Sequence, residues 1–125
     1  MLNNKFYEGY EGEGEVKVWH EENGNEDGMV IWIGYFNTIL EGCFYSQFSP
    51  NGILQCYFND DGFYDGKWAM EHPYIVLEEL KRFNPSALNT RNENIIKESK
   101  EVIEQLVSFI NITVSKGKKI YIEYN

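Results

Sequence analysis

Gly28-Met29-Val30-Ile31-Trp32-Ile33-Gly34-Tyr35-Phe36, a break at Asn37-Thr38, Ile39 through Phe48, a second break at Ser49-Pro50-Asn51-Gly52, and Ile53 through Phe58 form the stretch on which the fold turns. Three runs rich in β-branched and aromatic residues, parted by turn residues, predict an antiparallel β-meander. The short break pairs Phe36 with Ile39, and the longer one pairs Phe48 with Ile53. One face then carries Val30, Trp32, Phe36, Ile39, Cys43, Tyr45, Leu54, Cys56 and Phe58. The other carries Ile31, Ile33, Tyr35, Leu40, Phe44, Phe48, Ile53 and Tyr57. Both faces are apolar and need cover, and a one-residue slip would exchange them. In this register Cys43 and Cys56 are diagonal neighbours ~7–8 Å apart, too far for a relaxed disulfide.

Upstream, residues 4–10 predict a short first strand that Gly9 weakens. Glu11-Gly12-Glu13-Gly14 is a turn. Glu15 to His20 alternates, with Val16, Val18 and His20 opposite Glu15, Lys17 and Trp19, as a strand does. Glu21 to Gly28 reads as a polar loop. Downstream, the chain leaves the sheet through the Gly/Asp-rich segment 59–70. A helix starts at Pro73, with Val76, Leu77, Leu80 and Phe83 as its stripe, and stops near Asn84-Pro85. A second helix follows Thr90-Arg91-Asn92-Glu93, read as a capping box in which Thr90 caps. Its stripe is Ile95, Ile96, Val102, Ile103, Leu106, Phe109 and Ile110, and Gly117 stops it. Ile112 to Ser115 has a strand as its alternative. Lys119 to Tyr124 alternates as a last strand. The order predicts one α+β domain over residues 1–125, an antiparallel meander of five to six strands with two helices packed on one face.

Charge is unevenly spread over the 125 residues. The net charge is −9, yet residues 1–80 hold fifteen acids against three bases, whereas residues 81–125 hold five acids against eight bases. An acidic sheet half repels phosphate, which argues against nucleic acid and for a cationic protein partner. No window approaches the ~20 apolar residues of a membrane span, and no apolar run follows Met1-Leu2-Asn3-Asn4-Lys5 as in a secretory leader. The expectation is a cytoplasmic protein with no membrane partner, whose two cysteines stay reduced.

Chemistry is scarce in the chain. His20 and His72 each lack a second His or Cys at metal spacing; His72, before Pro73, reads as an N-cap or surface residue. Asp61 to Gly66 fails the calcium-loop template, because Phe63 and His72 stand where acids are needed. Gly9, Gly12 and Gly14 do not have phosphate-loop spacing, and the carboxylates among them would repel phosphate. No two acids are singled out for hydrolysis, and no serine sits in a nucleophile context. The expectation is a protein that is not an enzyme, with no catalytic, cofactor or metal residues.

What remains is a rim. In the meander, Glu11, Glu13, Asp60, Asp61 and Asp65 gather at one end of the sheet with Phe63 and Tyr64 beside them, while Glu21, Glu22, Glu26 and Asp27 fall at the other. An acidic, aromatic-bearing edge fits a basic patch on a partner. The small acidic α+β layout with many Tyr and Trp resembles bacterial immunity proteins of toxin–immunity systems. That resemblance implies tight binding to a cognate cationic toxin, often a nuclease, so that its active site is blocked. The alternative is a small-ligand-binding domain with an aromatic-lined pocket between sheet and helices, and an enzyme using acidic residues is a third.

Overall fold

The computed structural model describes residues 1–43, 52–53 and 67–125. Its centre is a hairpin. β2 (Glu15–Glu22) and β3 (Asn25–Trp32) pair antiparallel from Glu15↔Trp32 to Glu22↔Asn25. The segment 21–28 is therefore no loop. Asn23 (φ 54°) and Gly24 (φ 79°) make a two-residue turn with both φ positive, the type I′ geometry that matches strand twist. Gly28 belongs to β3 because the strands approach closely there: a Cβ would stand 2.0 Å from the Val18 carbonyl oxygen.

β1 (Leu2–Phe6) lies parallel to β3, and β5 (Ile120–Tyr124) and β4 (Lys67–Met70) extend the other side antiparallel, giving the order β1-β3-β2-β5-β4. Among the described residues the fold is α+β with a mostly antiparallel five-stranded sheet. It is not a meander, since the parallel β1–β3 pair and the late β5 between β2 and β4 both require crossovers. The first strand is also shorter than the expected 4–10.

The stretch expected to form the first meander strands departs furthest from that expectation. Ile33–Cys43 is a helix, α1, and Asn37-Thr38 lies in its middle. Tyr35, Phe36, Ile39, Leu40 and Cys43 are its buried side chains, beside a buried Gly42, and their spacing of three and four places them on one helical face. The Thr38 hydroxyl donates to the Gly34 carbonyl oxygen at 2.7 Å, one turn back. Gly42 allows Phe83 to close on the helix, where a Cβ would meet its ring at 2.5 Å. The Asn84 N–H donates to the Gly42 carbonyl there. Ile53, expected extended, is helical. The remaining strand expectations, 44–48 and 54–58, lie outside the described residues. Cys43 is a free buried thiol at a helix end, so its expected cross-strand relation to Cys56, itself outside the described residues, does not hold.

α2 (Pro73–Leu80) starts at its proline as expected, with His72 in the N-cap position but making no side-chain cap. Its Glu79 is fully buried and accepts the Ile53 N–H at 2.7 Å. α3 (Glu93–Ser115) is capped by Asn92, whose side chain accepts from the Asn94 and Ile95 N–H groups. Thr90 instead accepts from the Asn92 N–H, one step outside the helix. Residues 111–115 continue the helix. Gly117, at φ +70°, ends it as the Gly117 N–H reaches the Val114 carbonyl and the Lys118 N–H reaches that of Thr113, a Schellman stop.

Among the described residues three α-helices of eight residues or more thus pack on one sheet face. Val16, Val18, Met29, Ile31, Ile120 and Ile122 from the strands join Phe36, Ile39, Leu40, Val76, Leu80, Val102, Leu106 and Ile110 in one buried cluster. The opposite face is polar at its centre but also aromatic. Lys17 lies between Glu26 (3.0 Å) and Glu123 (3.7 Å) and over the Trp19 ring at 4.3 Å.

Candidate functional site

Two acidic ends result from the β2–β3 register, separated by the length of an eight-residue hairpin, roughly 23 Å at the usual rise per residue. They differ in what surrounds their carboxylates.

The first end is the connection from β1 to β2. Tyr7, Glu8, Gly9, Tyr10, Glu11, Gly12, Glu13 and Gly14 fold back on themselves through Tyr10 N–H to Tyr7 O and Glu13 N–H to Tyr10 O. The Tyr7 hydroxyl donates to the Glu13 carbonyl at 2.8 Å, and the Gly9 N–H donates to Glu11 Oε2 at 2.8 Å. Positive φ at Gly9 and Gly12 (90° and 94°) makes these reversals possible. The loop is tied to the body by the Ile33 N–H, which donates to the Gly14 carbonyl.

Under the acids lies a nest of rings. Tyr10 stacks on Trp32 with centroids 3.9 Å apart at 7°, and Tyr35 stands edge-on to both, at 5.7 Å and 5.0 Å. Trp32 Nε1 donates to Glu13 Oε1 at 3.1 Å. Gly34 is what lets Trp32 fold across the start of α1, because a Cβ there would lie 2.2 Å from the indole. Tyr35 is buried, and its hydroxyl is held well above the ordinary tyrosine range, first by burial and then by the Tyr10 hydroxyl 3.4 Å away. It remains a neutral hydrogen-bonding phenol. Tyr10 and Trp32 are half-buried, with Glu8, Glu11 and Glu13 exposed around them.

Among the described residues none of Glu8, Glu11, Glu13 and Glu15 forms an ion pair. The second end is the reverse. Glu26 is paired with Lys17 at 3.0 Å, Glu22 with Lys116 at 3.8 Å, and Asp27 with the Met1 amino group at 3.3 Å; among the described residues only Glu21 of this end is unpaired. Electrostatically, the first end keeps its field and the second is largely neutralised.

Of the rim residues expected from sequence, Glu11 and Glu13 do come together on one exposed loop. Asp60, Asp61, Phe63, Tyr64 and Asp65 lie outside the described residues. Tyr10, Trp32 and Tyr35 were missed as site residues. Their signal was present, as aromatics next to the Glu11–Glu15 acids and at the end of β3, but Tyr35 read as strand and so pointed elsewhere.

Among the described residues no helix is long and apolar enough to cross a membrane. Comparison with known proteins finds no match to this chain among protein-family models, curated proteins or solved structures.

Proposed function

We propose that this protein is a binding module for a basic protein, an immunity protein that sequesters a cognate cationic toxin such as a nuclease. The reading is supported above all by the contrast in pairing: among the described residues, four carboxylates at residues 8–15 stand without a basic partner above a preordered Tyr10–Trp32 stack. Unpaired acids accelerate encounter with a cationic surface. A half-buried aromatic pair offers contact area with little side-chain entropy left to lose, which is how anchor residues slow dissociation. The space between sheet and helices, by contrast, is lined among the described residues by one buried apolar cluster, which favours an outer binding surface over an internal ligand pocket.

The test uses the product of the neighbouring reading frame as partner and measures association and dissociation rates across a salt series. Glu8→Gln/Glu11→Gln/Glu13→Gln should slow association about tenfold at low salt and flatten its salt dependence; the amide that replaces the Glu13 carboxylate keeps an acceptor for Trp32. Tyr10→Ala should leave association nearly unchanged and speed dissociation. The matched control is Glu22→Gln/Glu26→Gln/Asp27→Asn at the neutralised end, and a second triple at Asp60, Asp61 and Asp65 tests the rest of the expected rim. Rates indifferent to salt and to all three sets would sink the electrostatic reading. An effect carried by the 22–27 set alone would keep the partner and overturn the choice of surface.

A further inference from the structure

The far end of the hairpin carries a group of side chains that the proposed binding end does not use. His20 and Glu22 are two residues apart on β2 and share a face, and Asp27 sits directly opposite His20 on β3. One donor atom from each of the three lies within 4.8 Å of the other two. The type I′ turn at Asn23-Gly24 fixes the backbone that presents them.

His20 is the unusual member. It is 2% exposed, its Nδ1 is buried with no hydrogen-bond partner, and its Nε2 is 3.6 Å from Asp27 Oδ2, beyond hydrogen-bond length. Phe109 of α3 stacks on the ring at 5.6 Å and 17°, which holds its orientation. An imidazole buried with neither nitrogen hydrogen-bonded is costly. Nε2 is the nitrogen that faces the carboxylates, and a ligand there that protein atoms do not supply offsets its share of that cost.

We propose that His20, Glu22 and Asp27 bind a divalent transition-metal ion of the zinc class. One imidazole nitrogen with two carboxylates is a borderline donor set that suits zinc and its neighbours, whereas calcium and magnesium take oxygen ligands. Bonds of about 2.0–2.2 Å to one ion place tetrahedral ligand atoms roughly 3.3–3.6 Å apart, so the group must contract by about an ångström. The carboxylates can supply that movement: the Glu22 and Asp27 side chains are 40% and 45% exposed, while His20 is held by its packing. The competing cations are the Met1 amino group, 3.3 Å from Asp27 Oδ1, and Lys116 Nζ, 3.8 Å from Glu22 Oε2. Both are solvent-exposed monocations, which a dication held by three ligands displaces or leaves on the outer oxygens. Three protein ligands leave a fourth position for water.

The experiment is titration of EDTA-treated protein with zinc chloride by calorimetry, and with cobalt(II) chloride by visible absorption. The expected result is one ion per chain, a Tm that rises with zinc concentration as mass action requires, and cobalt d–d bands with no thiolate charge-transfer band, which would mark a cysteine, Cys43 or Cys56, as ligand instead. Asp27→Asn and Glu22→Gln, both at exposed carboxylates and so expected to fold, should each weaken zinc binding about tenfold or more. His72→Ala should leave it unchanged. His20→Gln should abolish it. No saturable binding at millimolar free zinc overturns the site, as does a thiolate band. Binding that survives both carboxylate variants identifies an adventitious ion only.

Discussion

Replacing Asn92 by alanine should destabilise the protein by about 1 kcal/mol, the usual loss for an N-cap acceptor. The structure explains why the loss sits here. Asn92 Oδ1 accepts from two first-turn donors, the Asn94 N–H at 3.0 Å and the Ile95 N–H at 3.2 Å, and alanine leaves both to water. Fraying would not stay local, because Ile95 packs against the buried core cluster. For a chain of this length, with unfolding entropy near 2.1 cal/mol/K per residue, 1 kcal/mol corresponds to a fall in Tm of about 4 °C. Thr90→Ala is the internal comparison. It removes one acceptor, that of the Asn92 N–H at 3.2 Å, on an exposed segment outside the helix, and should cost less than about 0.5 kcal/mol. Asn92→Asp should restore wild-type stability or exceed it, since a carboxylate caps equally well and faces the positive end of the helix dipole. Urea unfolding with linear extrapolation reads all three. A wild-type midpoint and slope for Asn92→Ala, or a larger loss in Thr90→Ala, would mean that the helix begins at the threonine after all.

Gly28→Ala should cost about 3 kcal/mol or more. Its Cβ would stand 2.0 Å from the Val18 carbonyl oxygen and 2.7 Å from Trp19 Cα, backbone atoms that the strand pairing pins; a Tm within a few degrees of wild type would contradict the register. The Cys43 thiol is pushed up from 9.0 to about 12, chiefly by burial and then by the Glu79 charge, against a smaller lowering by Arg82. The folded state therefore keeps a proton that the unfolded chain releases: the contribution is whole below about pH 9 and is lost as pH rises towards 12. In a Cys56→Ser background the native thiol should resist thiol reagents at pH 8–9, and adding Cys43→Ala should flatten the alkaline decline in unfolding free energy. Rapid labelling without unfolding would count against a buried thiol.

How far the sequence could be read depended on whether local preference and tertiary demand agreed. At β2 they did: Val16 and Val18 face the core while Glu15 and Lys17 are only half-buried on the other side. At α3 a long apolar stripe and a glycine stop left little choice, although the cap moved two residues because three candidate capping side chains, Thr90, Asn92 and Asn94, stand close together. At α1 they conflicted. Ile33, Tyr35, Phe36, Thr38 and Ile39 are residues that strands favour, and Gly34 and Gly42 are poor in helices. The helix forms because its buried residues recur at three and four, and because its two glycines admit Trp32 and Phe83. The Phe83 contact comes from a residue distant in sequence, and no window on α1 contains it. At the hairpin turn the conflict is electrostatic. Pairing across Asn23-Gly24 sets Glu21 opposite Glu26, like charges that ordinarily oppose strand pairing. Lys17 relieves the repulsion from Glu26 at 3.0 Å, a solution visible only once the strands are side by side.

The same distinction governs the candidate site. A count of acids along the chain makes residues 1–80 uniformly negative and cannot rank one acidic loop above another. Folding does rank them, because among the described residues the bases that pair with hairpin acids reach one end. Lys116 arrives from the far end of α3 and Lys17 from within β2, both at the side of Glu22 and Glu26. The base nearest in sequence to Glu8, Lys5, reaches Glu101 of α3 at 4.0 Å instead. An end whose carboxylates are already paired gains less from a cationic partner, since existing contacts must be exchanged for new ones. Among the described residues Glu8, Glu11, Glu13 and Glu15 have no ion pair to exchange. The order of their loop is already set by the Tyr7, Trp32 and Gly9 hydrogen bonds, so a partner would meet a formed surface and little ordering would remain to oppose binding.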